Sequence, residues 1–334
     1  MTLAGDAAAG RRAISVRGWV TAAIALTFQM DHSVGRLKRI LDMLSIALPN
    51  GSLEEGTIKL FEEANLKVLR APRQHGAKIE DPRISRVTIM RPQHIPRLVE
   101  QGTYDLGVCG QDSILESDAK VSILQHLYYS RRTLGGVQVV LIGAENDTTL
   151  TPDQVPPGSA ILSEYPGWTK RFFNKLRIPV TVEFSYGGTE AHIPGDYRYG
   201  VCVTETGSSI TANGLRIIGK LSESNTVLIA NQEVQLDEKK REAIHIVRLL
   251  LSGAQDARDQ VLLIMNVPTS EKETILKRVP ALKEPTVSSL AHGKGYSISS
   301  VISRQKLNEV IPDLLKHGAQ DLLELPISKV IRGW

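Results

Sequence analysis

Apolar positions along the chain fall into short runs broken by Gly, Pro, Asn, Asp and Ser. Between breaks their spacing switches from about two to about 3.6 residues. Leu44–Leu48 predicts a short strand, and Pro49-Asn50-Gly51-Ser52 predicts a turn in which Ser52 caps a helix over Leu53–Ala64. Leu66–Leu69 and Val87–Met90 predict strands. Pro92–Gln101 predicts a helix with proline near its first turn, and Asp105–Gly110 a buried strand ending in glycine. Strands alternating with helices predict a parallel sheet with helices on its faces.

Gly135–Ala144 is apolar and β-branched, and is read as the crossing into a second α/β lobe. That lobe takes the strands Ala160–Leu162, Val180–Ser185 and Gly200–Val203 and the helix Trp168–Leu176, and Leu215–Ala230 reads as the return to the first. The expected boundaries are 43–136 with 217–234 for lobe I, and 137–216 for lobe II. A charged helical stretch, Lys239–Ala257, follows. The pattern then becomes strand Val261–Val267, helix Glu271–Val279, strands Thr286–Ala291 and Tyr296–Ile302, helix Lys306–His317 and strand Asp321–Leu325. That βαββαβ order is the ferredoxin-like (ACT-like) split, and residues 235–334 are assigned to it as a separate domain.

Composition adds limits. With 334 residues, 42% hydrophobic and 23% charged, the chain has room for two or three domains and a sizeable core. The net charge of +4 is mild, and no basic run is interleaved with aromatics, so nucleic acid is not an expected partner. A modest positive surplus suits polyphosphate substrates. Cys109 and Cys202 stand far apart with no CxxC pair, which argues against zinc and for a reducing cytoplasm. The apolar stretch Trp19–Met30 is shorter than the ~20 residues of a membrane span. It follows arginines as a signal core would, but no small-x-small site comes after it. Residues 1–42 are therefore read as an extension outside the fold, with Met43 opening the first strand; no membrane association is expected.

Three turns carry candidate chemistry. In Glu205-Thr206-Gly207-Ser208-Ser209-Ile210-Thr211 a buried strand runs into an acidic residue, then a glycine turn rich in hydroxyls, then a helix start. Glycine lets a backbone approach an anion, and the helix start favours negative charge. Glu205 before that cradle suits ribose hydroxyls, so the whole suits a ribose 5-phosphate. A capped helix after a strand has the same composition, and the loop alone does not decide between the two. Gly187-Gly188-Thr189-Glu190 and Asn50-Gly51-Ser52 repeat the arrangement. All three lie at carboxyl ends of predicted strands, the edge where open α/β sheets bind ligands. Arg91, Asp105 and Tyr165 are further candidates, for a phosphate, a turn or nucleotide contact, and a base. A solvated arginine, a turn cap and a core tyrosine are their plainer readings.

Leu48–Glu55, Asp105–Asp112, Ser163–Pro166, Gly187–Ala191 and Thr204–Leu215, taken in order, resemble ATP phosphoribosyltransferase. Leu262–Val267, Pro285–Ser288 and Glu324–Ile327 resemble the regulatory domain of that family's long form. The resemblance spans roughly residues 44–330. It implies a periplasmic-binding-protein-like two-lobed catalytic unit, ATP and phosphoribosyl pyrophosphate as substrates, Mg2+ as cofactor and a cytoplasmic homo-oligomer, dimer to hexamer, inhibited by histidine. It implies Glu205 and Arg91 as catalytic, with Glu205 the candidate for any metal contact. Thr206–Thr211 and Gly187–Glu190 become phosphate-binding, and Asn50, Gly51, Ser52, Asp105 and Tyr165 nucleotide-binding. The chain departs from the family at two aspartates before the phosphate loop, where Arg198 and Cys202 stand, and at an opening-turn lysine, where Asn50 stands. Glu205 and Asp196 are the candidates to replace the missing charge. The departures keep open a divergent regulatory paralogue, and the two lobes keep open a non-catalytic small-molecule binding protein.

Overall fold

Strand β1 (Leu44–Pro49) is buried along nearly its whole length, as a strand covered on both faces must be. It lies at the centre of a sheet whose other members are β2 (Val68–Leu69), β3 (Gly76–Ile79), β4 (Ile84–Met90), β5 (Leu106–Gly110), β6 (Ser122–Leu127) and β12 (Thr226–Ala230), in the order β2-β3-β4-β1-β5-β12-β6. The structure is a computed structural model and describes residues 42–72, 74–129 and 137–332. The extension expected over residues 1–42 lies outside these, Asp42 apart. Residues from Leu44 onward form one unit.

The first sheet is mixed rather than parallel. β4, β1 and β5 run parallel, but β3 is antiparallel to β4, and β12 is antiparallel to both β5 and β6. Helices α1 (Glu54–Glu63), α2 (Ile95–Glu100) and α3 (Gln111–Ser117) follow β1, β4 and β5. Ser52 does not cap α1. It sits inside a 3-10 turn, Gly51–Leu53, whose N-cap is Asn50, and neither that turn nor α1 has a side-chain cap bond.

The second sheet has the order β11-β7-β10-β8-β9, from β7 (Val137–Ala144), β8 (Ala160–Ser163), β9 (Thr181–Phe184), β10 (Tyr199–Thr204) and β11 (Leu215–Ser224). Helix α4 (Pro166–Leu176) follows β8, and the short α5 (Ser208–Ala212) follows β10. The expected single return at 215–230 is two strands in two sheets. β11 pairs with β7 throughout, and the chain crosses back at Asn225 rather than near residue 217.

Helix α6 (Glu238–Ala257) opens with Asp237, whose carboxylate accepts from the Lys240 N–H at 3.0 Å. Its buried residues Ala243, Ile244, Val247, Leu251 and Ala254 join the core of the first sheet, beside Leu44, Ile46, Leu60 and Phe61. The C-terminal body therefore starts after α6, not at residue 235. β13 (Gln260–Val267), α7 (Lys272–Arg278), β14 (Thr286–Ser289), β15 (Tyr296–Ser303), α8 (Leu307–Lys316) and β16 (Gln320–Pro326) build it. Its sheet runs β14-β15-β13-β16 with every pair antiparallel, the ferredoxin-like arrangement. Alternate residues of β13 and β15 pack under Ile275, Leu307 and Leu314. Among the described residues no helix is long and apolar enough to cross a membrane.

Candidate functional site

A cleft of about 470 Å³ lies between the two α/β lobes. Ser52 after β1, Pro92 and Gln93 after β4, and Gly110 and Asp112 after β5 line it from the first lobe. Tyr165 after β8, and Val203 and Glu205 at the end of β10, face them from the second. The parallel strands thus direct their carboxyl ends into one space, as open α/β sheets do at their ligand edge. Arg91 is exposed and immediately precedes Pro92 and Gln93. Asn50 and Gly51 lead into Ser52, with the Asn50 N–H donating to the Met90 carbonyl at 2.8 Å.

The glycine turn after Glu205 has a left-handed backbone tied by its own hydroxyls. Gly207 has φ +76° and ψ 0°, and its N–H donates to the Thr204 hydroxyl at 2.9 Å. The Thr206 hydroxyl donates to Ser208 Oγ at 2.9 Å, and the Thr211 amide to the Gly207 carbonyl at 3.1 Å. A methyl on Gly207 would meet only Ile217 Cδ1, at an ordinary 3.6 Å. Glycine is required here by the left-handed backbone, not by crowding. Ile210 is buried beneath the turn, while Thr206, Ser208 and Ser209 are exposed.

The second glycine turn is joined to the first. Ser209 Oγ donates to Glu190 Oε1 at 3.2 Å. Gly187 and Gly188 have φ +112° and +64°, and the buried Thr189 hydroxyl lies 3.0 Å from Ser185 Oγ and 3.2 Å from Glu164 Oε1. Burial pushes the Glu164 carboxyl above its ordinary value, the Thr189 hydroxyl opposes that, and the nearby Glu190 and Asp112 charges push it further up. Burial likewise raises the Tyr165 phenol, and the nearby Asp112 and Glu164 charges push it further up. Asp112 is tied to Ser224: its N–H donates to Ser224 Oγ at 2.9 Å, and the hydroxyl donates back to Oδ1. Among the described residues no three His, Cys, Asp or Glu side chains converge as a metal-ligand group.

Asp105 is not part of the cleft. It stands at the amino end of β5, where its carboxylate accepts from the Ser45 N–H and hydroxyl, both at 2.8 Å, and pairs with Lys240 Nζ at 2.9 Å. It stands at the opposite end of β5 from Gly110, which lines the cleft. Arg198 is similarly remote, preceding β10 by one residue and the glycine turn by roughly 20 Å of strand. Its guanidinium binds Asp147, whose carboxyl it holds well below the usual range. Cys202 is buried against Val140, Ile142, Ile210 and Leu215, and its thiol is pushed up to about 12 by burial, then by the Glu190 and Glu164 charges. Asp196 is exposed and pairs with His192 at 3.0 Å rather than lining the cleft. The carboxylates that line the cleft are instead Glu205 and Asp112, while Glu164 and Glu190 are bonded to the glycine turns through Thr189 and Ser209. Glu164, and Asp112 two residues beyond the glycine that ends β5, do not stand out by residue type alone.

Comparison with known proteins places the sequence in one family. The sequence model described as HisG, ATP phosphoribosyltransferase, matches residues 91–252, and that described as HisG, C-terminal domain, matches residues 257–329. An ATP phosphoribosyltransferase of Geotalea daltonii (strain DSM 22248 / JCM 15807 / FRC-32) is 38% identical over 295 residues, 87% of this chain and 99% of its own. ATP phosphoribosyltransferase 1 of Geobacter sulfurreducens (strain ATCC 51573 / DSM 12127 / PCA) is 37% identical over 294 residues, 86% of this chain and 99% of its own. The structure of the ATP phosphoribosyl transferase (HisG:HisZ) complex from Thermotoga maritima shares the fold, with a TM-score of 0.53 at 20% identity over 63% of this chain and 98% of that one.

Proposed function

The chain belongs to the ATP phosphoribosyltransferase family, glycosyltransferases of histidine biosynthesis, and on that premise we propose that it joins ATP to phosphoribosyl pyrophosphate to give N1-(5-phosphoribosyl)-ATP and pyrophosphate. The observation that carries this reading is the Ser209–Glu190 bond, which unites two left-handed glycine turns into one anion-binding wall beside the cleft. The helix-start N–H groups of Ser208, Ser209 and Ile210 and the exposed hydroxyls of Thr206, Ser208 and Ser209 hold the 5-phosphate, on a turn whose shape Gly207 and Thr211 fix by their own hydrogen bonds. Gly187, Gly188, Thr189 and Glu190 close the other side of the ribose, and Glu205 accepts from its hydroxyls.

The adenine lies against Tyr165, with Asn50, Gly51 and Ser52 beside the nucleotide's phosphates. N1 attacks C1′ of the ribose as the bond from C1′ to the diphosphate oxygen breaks, and pyrophosphate leaves with that electron pair. The leaving group is already good, so catalysis rests on holding N1 and C1′ in line and on charge placed around an oxocarbenium-like carbon. The carboxylates of Glu205 and Glu190 supply negative charge on the ribose side, and Arg91 offers positive charge to the diphosphate. Glu190, with Glu164 behind it, takes the place of the aspartate absent at Cys202.

Mg2+ binds through one or two carboxylates together with substrate phosphates, a demand that Glu205 and the diphosphate oxygens meet; when bound it neutralises the charge of the leaving group. We further assign the body after α6 to histidine sensing, within a cytoplasmic homo-oligomer. The test is pyrophosphate release from ATP and phosphoribosyl pyrophosphate with Mg2+, with and without histidine. Release that needs both substrates supports the reading; none, with both ligands still bound, would favour a regulatory paralogue.

A further inference from the structure

Helix α3 belongs to the first lobe and helix α4 to the second, yet each caps the other. Glu116 Oε1 accepts from the Gly167 N–H at 2.9 Å, and Oε2 from the Trp168 N–H at 2.9 Å. These amides open the first turn of α4 and have no partner within their own helix. One turn further along, the Arg171 guanidinium donates to the Leu115 and Glu116 carbonyls at the end of α3. The approach is close: a Cβ on Gly167 would stand 2.9 Å from Glu116 Oε1 and 3.1 Å from the Glu116 carbonyl oxygen.

The same pair of helices holds two cleft residues. Asp112 is one turn before Glu116 on α3, so their side chains share a face. Asp112 and Tyr165 line the same cleft from opposite lobes, and Tyr165 is the N-cap residue of α4. Helix α3 thus grips the start of α4 at the two amides just beyond Tyr165. At its other end α3 is fastened to the chain crossing between lobes: the Gln111 N–H donates to the Asn225 carbonyl at 3.0 Å, and the Asn225 N–H to Gln111 Oε1 at 3.1 Å. It is a lever with one end at the crossing and the other on the opposite lobe.

We propose that Glu116 is a positioning residue that latches the two lobes together, so that closing the cleft and placing Tyr165 and Asp112 against the substrate are one event. Separating the lobes strips two helix-start amides of their acceptor and leaves the Glu116 carboxylate without its donors. The closed arrangement is favoured before any ligand arrives, and substrate affinity draws on it. This rests on the cleft being the substrate site, and the experiment separates the two claims.

Both native cysteines are buried, so cysteines introduced at the exposed Lys67 and Lys175 accept a pair of spin labels, one on each lobe. The distance between labels is read in the unliganded full chain, for the parent and for Glu116→Ala, Glu116→Gln and Gly167→Ala. The expected result is a longer and broader distance in Glu116→Ala and Gly167→Ala, with Glu116→Gln between, because it keeps one oxygen acceptor. KM for both substrates should rise about tenfold in Glu116→Ala while kcat falls less than threefold. An unchanged distance in a folded Glu116→Ala overturns the latch, and a longer distance with unaltered KM overturns its positioning role. The distance is read without substrate, so a parent chain that releases no pyrophosphate would sink the functional reading, while the label distances alone would still decide whether the latch holds.

Discussion

Replacing Gly207 with alanine is a sharp test of the phosphate cradle, because the strain has a known size and only two places to appear. At φ +76° an L-residue pays roughly 1–2 kcal/mol that glycine does not. The added methyl finds ordinary contact with Ile217, so no crowding term is added. If the turn keeps its shape in the free protein, the whole cost appears as lost stability. If the turn relaxes, that part returns when the ligand forces it back, and appears as lost affinity. The two losses must therefore sum to about 1–2 kcal/mol, which caps the affinity loss near 5- to 30-fold at about 1.4 kcal/mol per decade. Gly214→Ala is the control: φ is +67° and a methyl there meets nothing within 4 Å. It carries the same strain and the same unfolded-state gain from losing a glycine, but sits beyond the far end of α5. Urea unfolding and calorimetric titration with phosphoribosyl pyrophosphate read both quantities. Stability loss in both variants with affinity loss in Gly207→Ala alone is the expected outcome. A smaller stability loss in Gly207→Ala than in Gly214→Ala, with affinity unchanged in both, would refute a cradle formed by this turn, because the relaxed turn would then not be forced back by the ligand.

The remaining predictions concern the fold around the site. Removing residues 259–334 should leave a folded two-lobed unit without histidine inhibition, whereas removing 235–334 should unfold it. Ile244, Val247 and Leu251 are at most 4% exposed, and at about 1.5–3 kcal/mol each they carry a large part of a typical stability of about 5–15 kcal/mol; circular dichroism and an inhibition assay on both truncations decide it. Asp105→Ala should cost about 3 kcal/mol in urea unfolding while leaving KM for ATP unchanged, since it strands Lys240, whose side chain is 19% exposed, without its carboxylate. Arg198→Gln should lose little stability at pH 7, the guanidinium being half exposed and screened by solvent. The native Asp147 carboxyl is depressed, so the stability from this pair is complete above 3.8 and is lost as pH falls below it. Unfolding curves of parent and variant should thus converge in acid, and a gap that widens below pH 4 would contradict the assignment.

How far the fold is legible in the sequence depends on how strongly each element's pattern stands out. β13 and β15 alternate buried and half-buried residues cleanly, and the C-terminal βαββαβ order follows from such patterns. β3, with only Ala77 and Ile79 apolar, and β6, whose Ser, Gln and His interrupt the alternation, offer no comparable signal. Helix α3 is seven residues long with two large apolar positions, too short for a 3.6-residue period to declare itself. β11 and β12 read as one run because a single Asn225 separates strands that belong to different sheets. Helix α6 shows a different limit. Its apolar stripe is plain in the sequence, but periodicity says which face is buried and not which body buries it. Its neighbours in the chain point to the C-terminal domain, while its packing places it with the first sheet.

The site follows a rule of direction along the strands. Asp105 and Arg198 both draw notice by residue type near an expected ligand edge, and both stand at amino ends of their strands. A strand of five or six residues is about 17–20 Å long, so the right strand read at the wrong end puts a side chain on the far side of its lobe. There each carboxylate or guanidinium finds a structural partner: Lys240 for Asp105, Asp147 for Arg198. Ser52, Tyr165 and Glu205, taken from carboxyl ends, all face the cleft. The change at Cys202 is of another kind, since that position does lie beneath the cradle. Its thiol shares a region with Glu164, at the end of β8, and Glu190, on the second glycine turn. On the proposed reading, the charge missing at Cys202 is supplied by Glu164 beside the next strand and by Glu190 on a loop twelve residues before it in the chain. A replacement of that kind keeps negative charge near the proposed ribose site without keeping any position in the sequence, so a reading of β10 alone registers only the loss.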